Sequence, residues 1–286
     1  MRRPRLKRPS HKAKTREERA ILLLGAGHMG SALLGGWLRV GHMGPIIVVE
    51  PNPSPSVARH AKAGNIVLLK RLDAAKLPKL RAVVIALKPQ IIDADGPLLR
   101  PLGRLEALVV SIAAGTTIRR LRSFLGPQAR VIRAMPNTPG AVGRGITALY
   151  APKDAAVADR RLAQRLTEGL GETLWVAQEK LIDAVTAVSG SGPAYVFLLV
   201  EALARSAEAE GLPREAAMRL ARATITGAGA LLTHDNRAAK ALREAVTSPR
   251  GTTEAALRIL LAKDGMESLI RRAVRAATLR GRELGR

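Results

Sequence analysis

Past a basic N-terminal stretch, short apolar runs alternate with longer segments in which apolar residues recur every three or four positions. The run at residues 21–24 stops abruptly at Gly25-Ala26-Gly27-His28-Met29-Gly30, and Ala32, Leu33, Leu34, Trp37 and Leu38 follow at helical spacing. Further apolar runs at 46–49, 66–69, 82–87, 107–112 and 131–134 predict buried strands with helices or turns between them. Strands separated by helices imply a parallel sheet covered on both faces. Two more short strands, at 147–150 and 174–176, flank a predicted helix over 154–170.

Beyond residue 176 the pattern changes. Residues 194–210, 214–232, 238–246 and 253–261 are rich in Ala and Leu and predict helices, with no strand among them. Gly211-Leu212-Pro213 and Ser248-Pro249-Arg250-Gly251 punctuate them. A domain boundary is expected near Gln178, giving a tail over 1–19, an α/β domain over 20–177 and an all-α domain over 178–286. These helices carry more apolar residues than one packed stripe requires, so they are expected to bury surface against a partner subunit.

Composition narrows the functional classes. Of 286 residues 47% are hydrophobic but only 2% aromatic, so the core must be built from Leu, Val, Ile and Ala. No uninterrupted apolar run of about 20 residues exists, and no membrane-spanning helix is expected. The absence of cysteine excludes disulfides, thiolate ligands and cysteine nucleophiles, in keeping with a cytoplasmic setting. The five histidines form no metal-ligand cluster by spacing, so no metal is expected.

The net charge of +24 raises nucleic acid as a partner. The first twenty residues hold nine Lys/Arg against two Glu, with Pro4 and Pro9 and no apolar periodicity, so this tail is expected to be disordered. It has no apolar segment of a secretory signal. Aromatic stacking residues and zinc-finger spacing are lacking, which leaves nucleic-acid contact as non-specific and confined to the tail.

The glycine-rich segment carries the first chemistry. It follows a strand, opens a helix and starts a strand-helix-strand unit, the context in which Gly-x-Gly-x-x-Gly binds a dinucleotide. Gly25 would permit the tight turn, Gly27 the approach of pyrophosphate, and Gly30 close packing of helix on sheet. Unpaired amides at the helix start would face the pyrophosphate. The expected fold is therefore a Rossmann-like doubly wound sheet plus the helical domain. Glu50, ending the second strand, is placed to bond the adenosine ribose, the alternative being a solvated strand-end carboxylate. Asn52, Ser54, Arg59 and Arg71 stand nearby as donors to a phosphate, so either NADH or NADPH fits this edge.

Five longer motifs follow in order: Ala86-Leu87-Lys88-Pro89; Val110-Ser111-Ile112-Ala113-Ala114-Gly115; Ile132 to Pro139, reading IRAMPNTP; Ala187 to Tyr195, reading AVSGSGPAY; and Val246 to Thr253, reading VTSPRGTT. Together they resemble the pyrroline-5-carboxylate reductases, over the whole chain except the tail. The resemblance implies a nucleotide domain followed by a helical domain that dimerises, often within a larger ring. It implies hydride transfer from NADPH, with NADH as the alternative, to the C=N carbon of 1-pyrroline-5-carboxylate, giving L-proline. It places cofactor contacts at Gly25, Gly27, His28, Met29 and Gly30, at Ala86, Leu87, Lys88 and Pro89, and at Ile112, Ala113 and Ala114. It places the substrate carboxylate at Ser248, Thr252 and Thr253.

Thr253 is the candidate for a hydrogen bond to the ring nitrogen, relaying a proton through water, and Glu179 is expected to support that nitrogen from the first helix of the second domain. A protonated imine is already electrophilic, so orientation matters more than acid strength. Two residues depart from the family pattern. Arg250 replaces the first glycine of Ser-Pro-Gly-Gly-Thr, at a cost of about 1 kcal/mol if that position has positive φ. His28 stands where the family often has Asn. The nearest competing reading is a 3-hydroxyacid dehydrogenase of similar layout, but the helix after Gly190-Ser191-Gly192 lacks the Lys those enzymes use. A regulatory protein with a dead cofactor site is opposed by the intact glycines and hydroxyls.

Overall fold

The computed structural model describes residues 19–41 and 43–285, so all of the expected tail but Arg19 lies outside the described residues. The chain forms two compact units, one ending at Glu179 and the next beginning at Lys180.

The first unit is an eight-stranded sheet in the order β3-β2-β1-β4-β5-β6-β7-β8. Its strands are β1 (Ala20–Leu24), β2 (Ile46–Val49), β3 (Val67–Leu69), β4 (Leu80–Ile85), β5 (Leu108–Ser111), β6 (Val131–Met135), β7 (Gly145–Tyr150) and β8 (Gly171–Trp175). Helices α1 (His28–Val40), α2 (Pro55–Lys62), α3 (Pro89–Asp95), α4 (Arg100–Gly103), α5 (Ile118–Leu125) and α6 (Val157–Glu168) connect them. The sheet is parallel, as expected, but for one pairing: β7 runs antiparallel to β6, matching Arg133 with Tyr150. Only the short 3-10 turn Thr138–Val142 joins these strands. A parallel return needs a crossover of a dozen or more residues. Between β7 and β8, α6 supplies such a crossover and the pairing is parallel.

Alternation along β1 builds both layers of the core. Ile21 and Leu23 enter one cluster with Leu33, Trp37 and Leu166, while Leu22 and Leu24 enter the other with Ile92, Leu121 and Leu125. Burial on both faces is why these strands read as continuous apolar runs rather than alternating ones. The Trp37 indole N–H, buried between α1 and α6, donates to the Leu166 carbonyl at 2.7 Å.

The second unit contains α7 (Leu181–Val185), α8 (Gly192–Ala209), α9 (Arg214–His234), α10 (Ala239–Ala245), α11 (Thr252–Leu260) and α12 (Met266–Leu284). A π-helical turn, Thr186–Gly190, separates α7 from α8. Helices α8 and α9 meet through Ala204, Ala217 and Ala221, small residues that allow close approach. Large apolar side chains remain outside: Phe197 is 63% exposed and Ile259 is 75% exposed, with Leu220, Leu231 and Leu232 also exposed. By length and composition alone the helical stretch Leu181–Ala209 is apolar enough to cross a membrane, although Asp183, Glu201, Arg205 and Glu208 interrupt its apolar sequence.

Candidate active site

At the carboxyl edge of the sheet the chain leaves β1 through the glycine-rich turn. Gly25 has φ 87°, and a Cβ there would lie 2.8 Å from the Ala86 carbonyl oxygen. A Cβ at Gly30 would lie 2.2 Å from the Gly25 carbonyl oxygen, so a side chain at either position would push the first helix off the sheet. At Gly27 nothing lies within 4 Å of the added atom. Two glycines are thus required by the protein's own packing and the third opens onto free space, where a bound group can reach the backbone. Gly27 is also the N-cap of α1, and no side chain caps the helix. The first-turn amides there have no intrahelical acceptor. This cradle fits a pyrophosphate.

Glu50, one residue past β2, is held from two directions. Its Oε2 accepts from the Ala26 amide at 2.8 Å and its Oε1 from the Asn52 amide at 3.0 Å. The carboxylate is therefore part of the cradle rather than a solvated strand end. Ser54 caps α2, its hydroxyl accepting from the Val57 amide at 3.3 Å. His28 is exposed at the first position of α1, whereas Met29 packs against the core and would reach a ligand only by its amide.

The Ala86–Pro89 and Ile112–Ala114 segments leave the adjacent ends of β4 and β5, tied by Ala86 N to the Leu24 carbonyl at 2.8 Å and Ile112 N to the Ile85 carbonyl at 3.0 Å. Lys88 is exposed at the N-cap of α3 with Pro89 following it. Ile112 and Ala113 are buried, so the surface they offer is backbone. Asn137 organises the next turn, its Oδ1 accepting from the Ile146 amide at 3.0 Å.

Glu179 does not stand on a helix of the second unit. It ends the first unit, in a turn after β8. Its Oε1 accepts from the Ile118 amide, at the start of α5, at 2.7 Å and pairs with Arg133 Nη1 at 3.1 Å. Arg133 is buried on β6, with 4% of its side chain exposed against 27% for Glu179. A helix N-terminus and a buried guanidinium both favour a carboxylate here. The sequence signal was only an Arg inside an otherwise apolar strand.

In the second unit, Ser248-Pro249-Arg250-Gly251 turns the chain from α10 into α11. The helix is capped by Gly251 without a side-chain bond, so neither Ser248 nor Thr252 serves as an ordinary N-cap. Among the described residues none bonds the hydroxyls of Ser248, Thr252 or Thr253, while Thr247 donates to the Arg243 carbonyl at 2.7 Å. Arg250 has φ 61°, and among the described residues it is the one non-glycine with positive φ. At the start of α8, the π turn is braced by Tyr195, whose hydroxyl donates to the Ala187 carbonyl at 3.0 Å.

Comparison with known proteins decides the family. Residues 179–284 match the family model described as pyrroline-5-carboxylate reductase dimerisation, and residues 20–115 match one described as NADP oxidoreductase coenzyme F420-dependent. The chain is 38% identical over 265 residues to a pyrroline-5-carboxylate reductase of Pseudomonas aeruginosa, covering 92% of this chain and 96% of that one. The chain belongs to the pyrroline-5-carboxylate reductase family. A solved family structure from Coxiella burnetii superposes with a TM-score of 0.84 at 32% identity, over 94% of this chain and 99% of that one. The Plasmodium falciparum pyrroline carboxylate reductase, solved with NADP bound, gives 0.79 at 26% identity over the same shares. Membership accounts for the open cradle and the exposed helices together: this is an oxidoreductase fold that uses NAD(P)H and carries a dimerisation domain.

Proposed function

We propose that this protein reduces 1-pyrroline-5-carboxylate to L-proline, the last step of proline biosynthesis, acting in the cytoplasm as a homodimer or a ring of dimers. The observation that carries the reading is the pair of prepared features: a glycine cradle with open space at Gly27, and a helix start at Thr252 and Thr253 whose hydroxyls are uncommitted. When bound, the nicotinamide cofactor supplies the hydride. The chain's own residues bind and orient.

Gly25, Gly27 and Gly30, with the amides of His28 and Met29, hold the pyrophosphate, and Glu50 and Asn52 border the ribose. The backbone of Ala86, Leu87, Ile112, Ala113 and Ala114, with Lys88 and Pro89, lines the cofactor's path along the sheet edge. Ser248, Thr252 and the first-turn amides of α11 receive the substrate carboxylate, since hydroxyls and amides at a helix start suit an anion without any net charge. Thr253 hydrogen-bonds the ring nitrogen and passes it a proton through water. Glu179, committed to Arg133 and α5, acts on the site only by fixing the end of the nucleotide unit. The exposed apolar faces of α8, α9 and α11 meet a second copy, which also answers the membrane-like hydropathy of Leu181–Ala209.

The test is oxidation of NADH or NADPH by the purified protein on adding pyrroline-5-carboxylate, beside parallel reactions with 3-oxo acids. Turnover with the imino acid and equimolar proline supports the reading, and turnover with 3-oxo acids alone refutes it.

A further inference from the structure

The first unit holds a cavity of about 700 Å³ bordered by α4, α5 and the end of β7. Arg100 begins α4, Arg119 and Arg122 stand three residues apart on one side of α5, and Tyr150 ends β7. The chain carries 47 Lys and Arg against 23 Asp and Glu, so an unpaired cation alone means little. Here three converge on one concavity. Among the described residues no carboxylate pairs with Arg100, Arg119 or Arg122. Arg122 donates through Nε to the Ala129 carbonyl at 3.1 Å, which leaves its two terminal nitrogens. Their neighbours differ: Arg120 is paired with Asp93 at 3.0 Å, and Arg130 with Asp159 at 2.7 Å.

The carboxylate lining this cavity, Glu179, does not neutralise them. It is matched by Arg133 at 3.1 Å and by the Ile118 amide at 2.7 Å. Arg133 in turn keeps its Nη2 buried without a hydrogen-bond partner. What the cavity offers is therefore donors: three guanidinium groups, which never accept, and the uncommitted hydroxyl of Tyr150. Like charges around one concavity repel each other, and an anion of two or more charges relieves that repulsion. The guanidinium fork matches phosphate oxygens two at a time. A single carboxylate has oxygens for one fork, whereas a phosphate-bearing group has enough for several. The volume suits a small molecule rather than a lone ion.

We propose that this cavity binds a phosphate-bearing small anion, a polyphosphate or a phosphorylated metabolite, at a site separate from the dinucleotide cradle. Bound there, the anion bridges α4, α5 and β7 and stiffens the first unit. Of the residues placed in the proposed reaction only Glu179 borders the cavity, and its carboxylate is already committed. The probe is tripolyphosphate, titrated calorimetrically at constant ionic strength into the protein loaded with NADPH, so that the glycine cradle is filled. Saturable binding with a raised unfolding midpoint is expected. Arg119→Ala/Arg122→Ala is expected to weaken it about tenfold or more, with the NADPH dissociation constant unchanged. Arg104→Ala/Arg161→Ala removes the same charge elsewhere and should leave the affinity within about twofold, since distant surface charges are screened. Circular dichroism checks that each variant is folded. Absence of binding in the loaded parent overturns the proposal. So does an equal loss in both double variants, which would reduce the effect to net charge. Succinate binding as tightly as tripolyphosphate overturns the class of ligand.

Discussion

The backbone amide of Arg250, a residue in the left-handed region, donates to the carboxylate of Glu254 one helical turn further on. The carboxylate reaches back across the start of α11 and steadies a conformation that an L-residue adopts at a cost of about 1–2 kcal/mol. Glycine at this position would carry no such penalty.

Arg250→Gly should therefore stabilise the fold by about 1 kcal/mol, after the unfolded-state entropy of glycine is deducted. The check is a thermal or urea unfolding midpoint beside steady-state kinetics. A raised midpoint with unchanged KM for the imino acid means Arg250 is tolerated strain. A raised KM means that its exposed guanidinium binds a ligand.

Gly27→Ala and Gly30→Ala separate ligand approach from packing. Since a Cβ at Gly27 meets nothing while one at Gly30 would strike the Gly25 carbonyl, only the second should lower thermal stability. Gly27→Ala should leave the unfolding midpoint in place and weaken dinucleotide binding, by about tenfold for a single methyl intruding on the pyrophosphate. Equal destabilisation by the two substitutions would refute the division of labour.

Glu179→Ala leaves the Arg133 guanidinium buried without its carboxylate partner. Breaking such a pair costs about 3–5 kcal/mol when both groups are buried, and about 2–3 here because Glu179 is partly solvated. The loss should appear in denaturant unfolding, with kcat/KM of the surviving folded enzyme within a few fold of the parent. A folded, equally stable variant with collapsed kcat/KM would return Glu179 to the substrate.

Thr253→Val keeps the shape of the side chain and removes its hydroxyl. With the ring nitrogen as its partner, kcat/KM for pyrroline-5-carboxylate should fall about ten- to a hundredfold, equivalent to about 1–3 kcal/mol of transition-state stabilisation. Cofactor dissociation constants, read by fluorescence titration, should barely move. Weakened cofactor with an unaltered KM for the imino acid would place a different ligand beside this loop.

What the sequence made legible follows from how each feature is encoded. The strands β1, β2, β4, β5 and β6 are largely buried and stand out as apolar runs, so their positions could be read to within a few residues. The direction of β7 could not, because it depends on the short Thr138–Val142 connection rather than on apolar pattern. The bounds of α12 were not given, although Leu269, Ile270, Ala273, Val274 and Ala277 recur at helical spacing with Arg271, Arg272, Arg275 and Arg282 on the other face. Glycine spacing announced the cradle. The bonds of Glu50 to Ala26 and of Glu179 to Arg133 join residues 24 and 46 positions apart, and nothing in local pattern marks such pairs. Arg250 was visible as a departure from Ser-Pro-Gly-Gly-Thr, but whether its φ is positive is a matter of backbone conformation that the sequence left open and the structure answers with 61°.

The central claim is a hydride delivered to the imine carbon of a pyrroline carboxylate. The most direct measurement follows an isotope: NADH and NADPH carrying deuterium at both C4 positions are incubated with the protein and unlabelled 1-pyrroline-5-carboxylate. The account predicts L-proline with one deuterium on the former imine carbon, in an amount equal to the cofactor oxidised. Proline without deuterium, or cofactor oxidised with no proline formed, would contradict it.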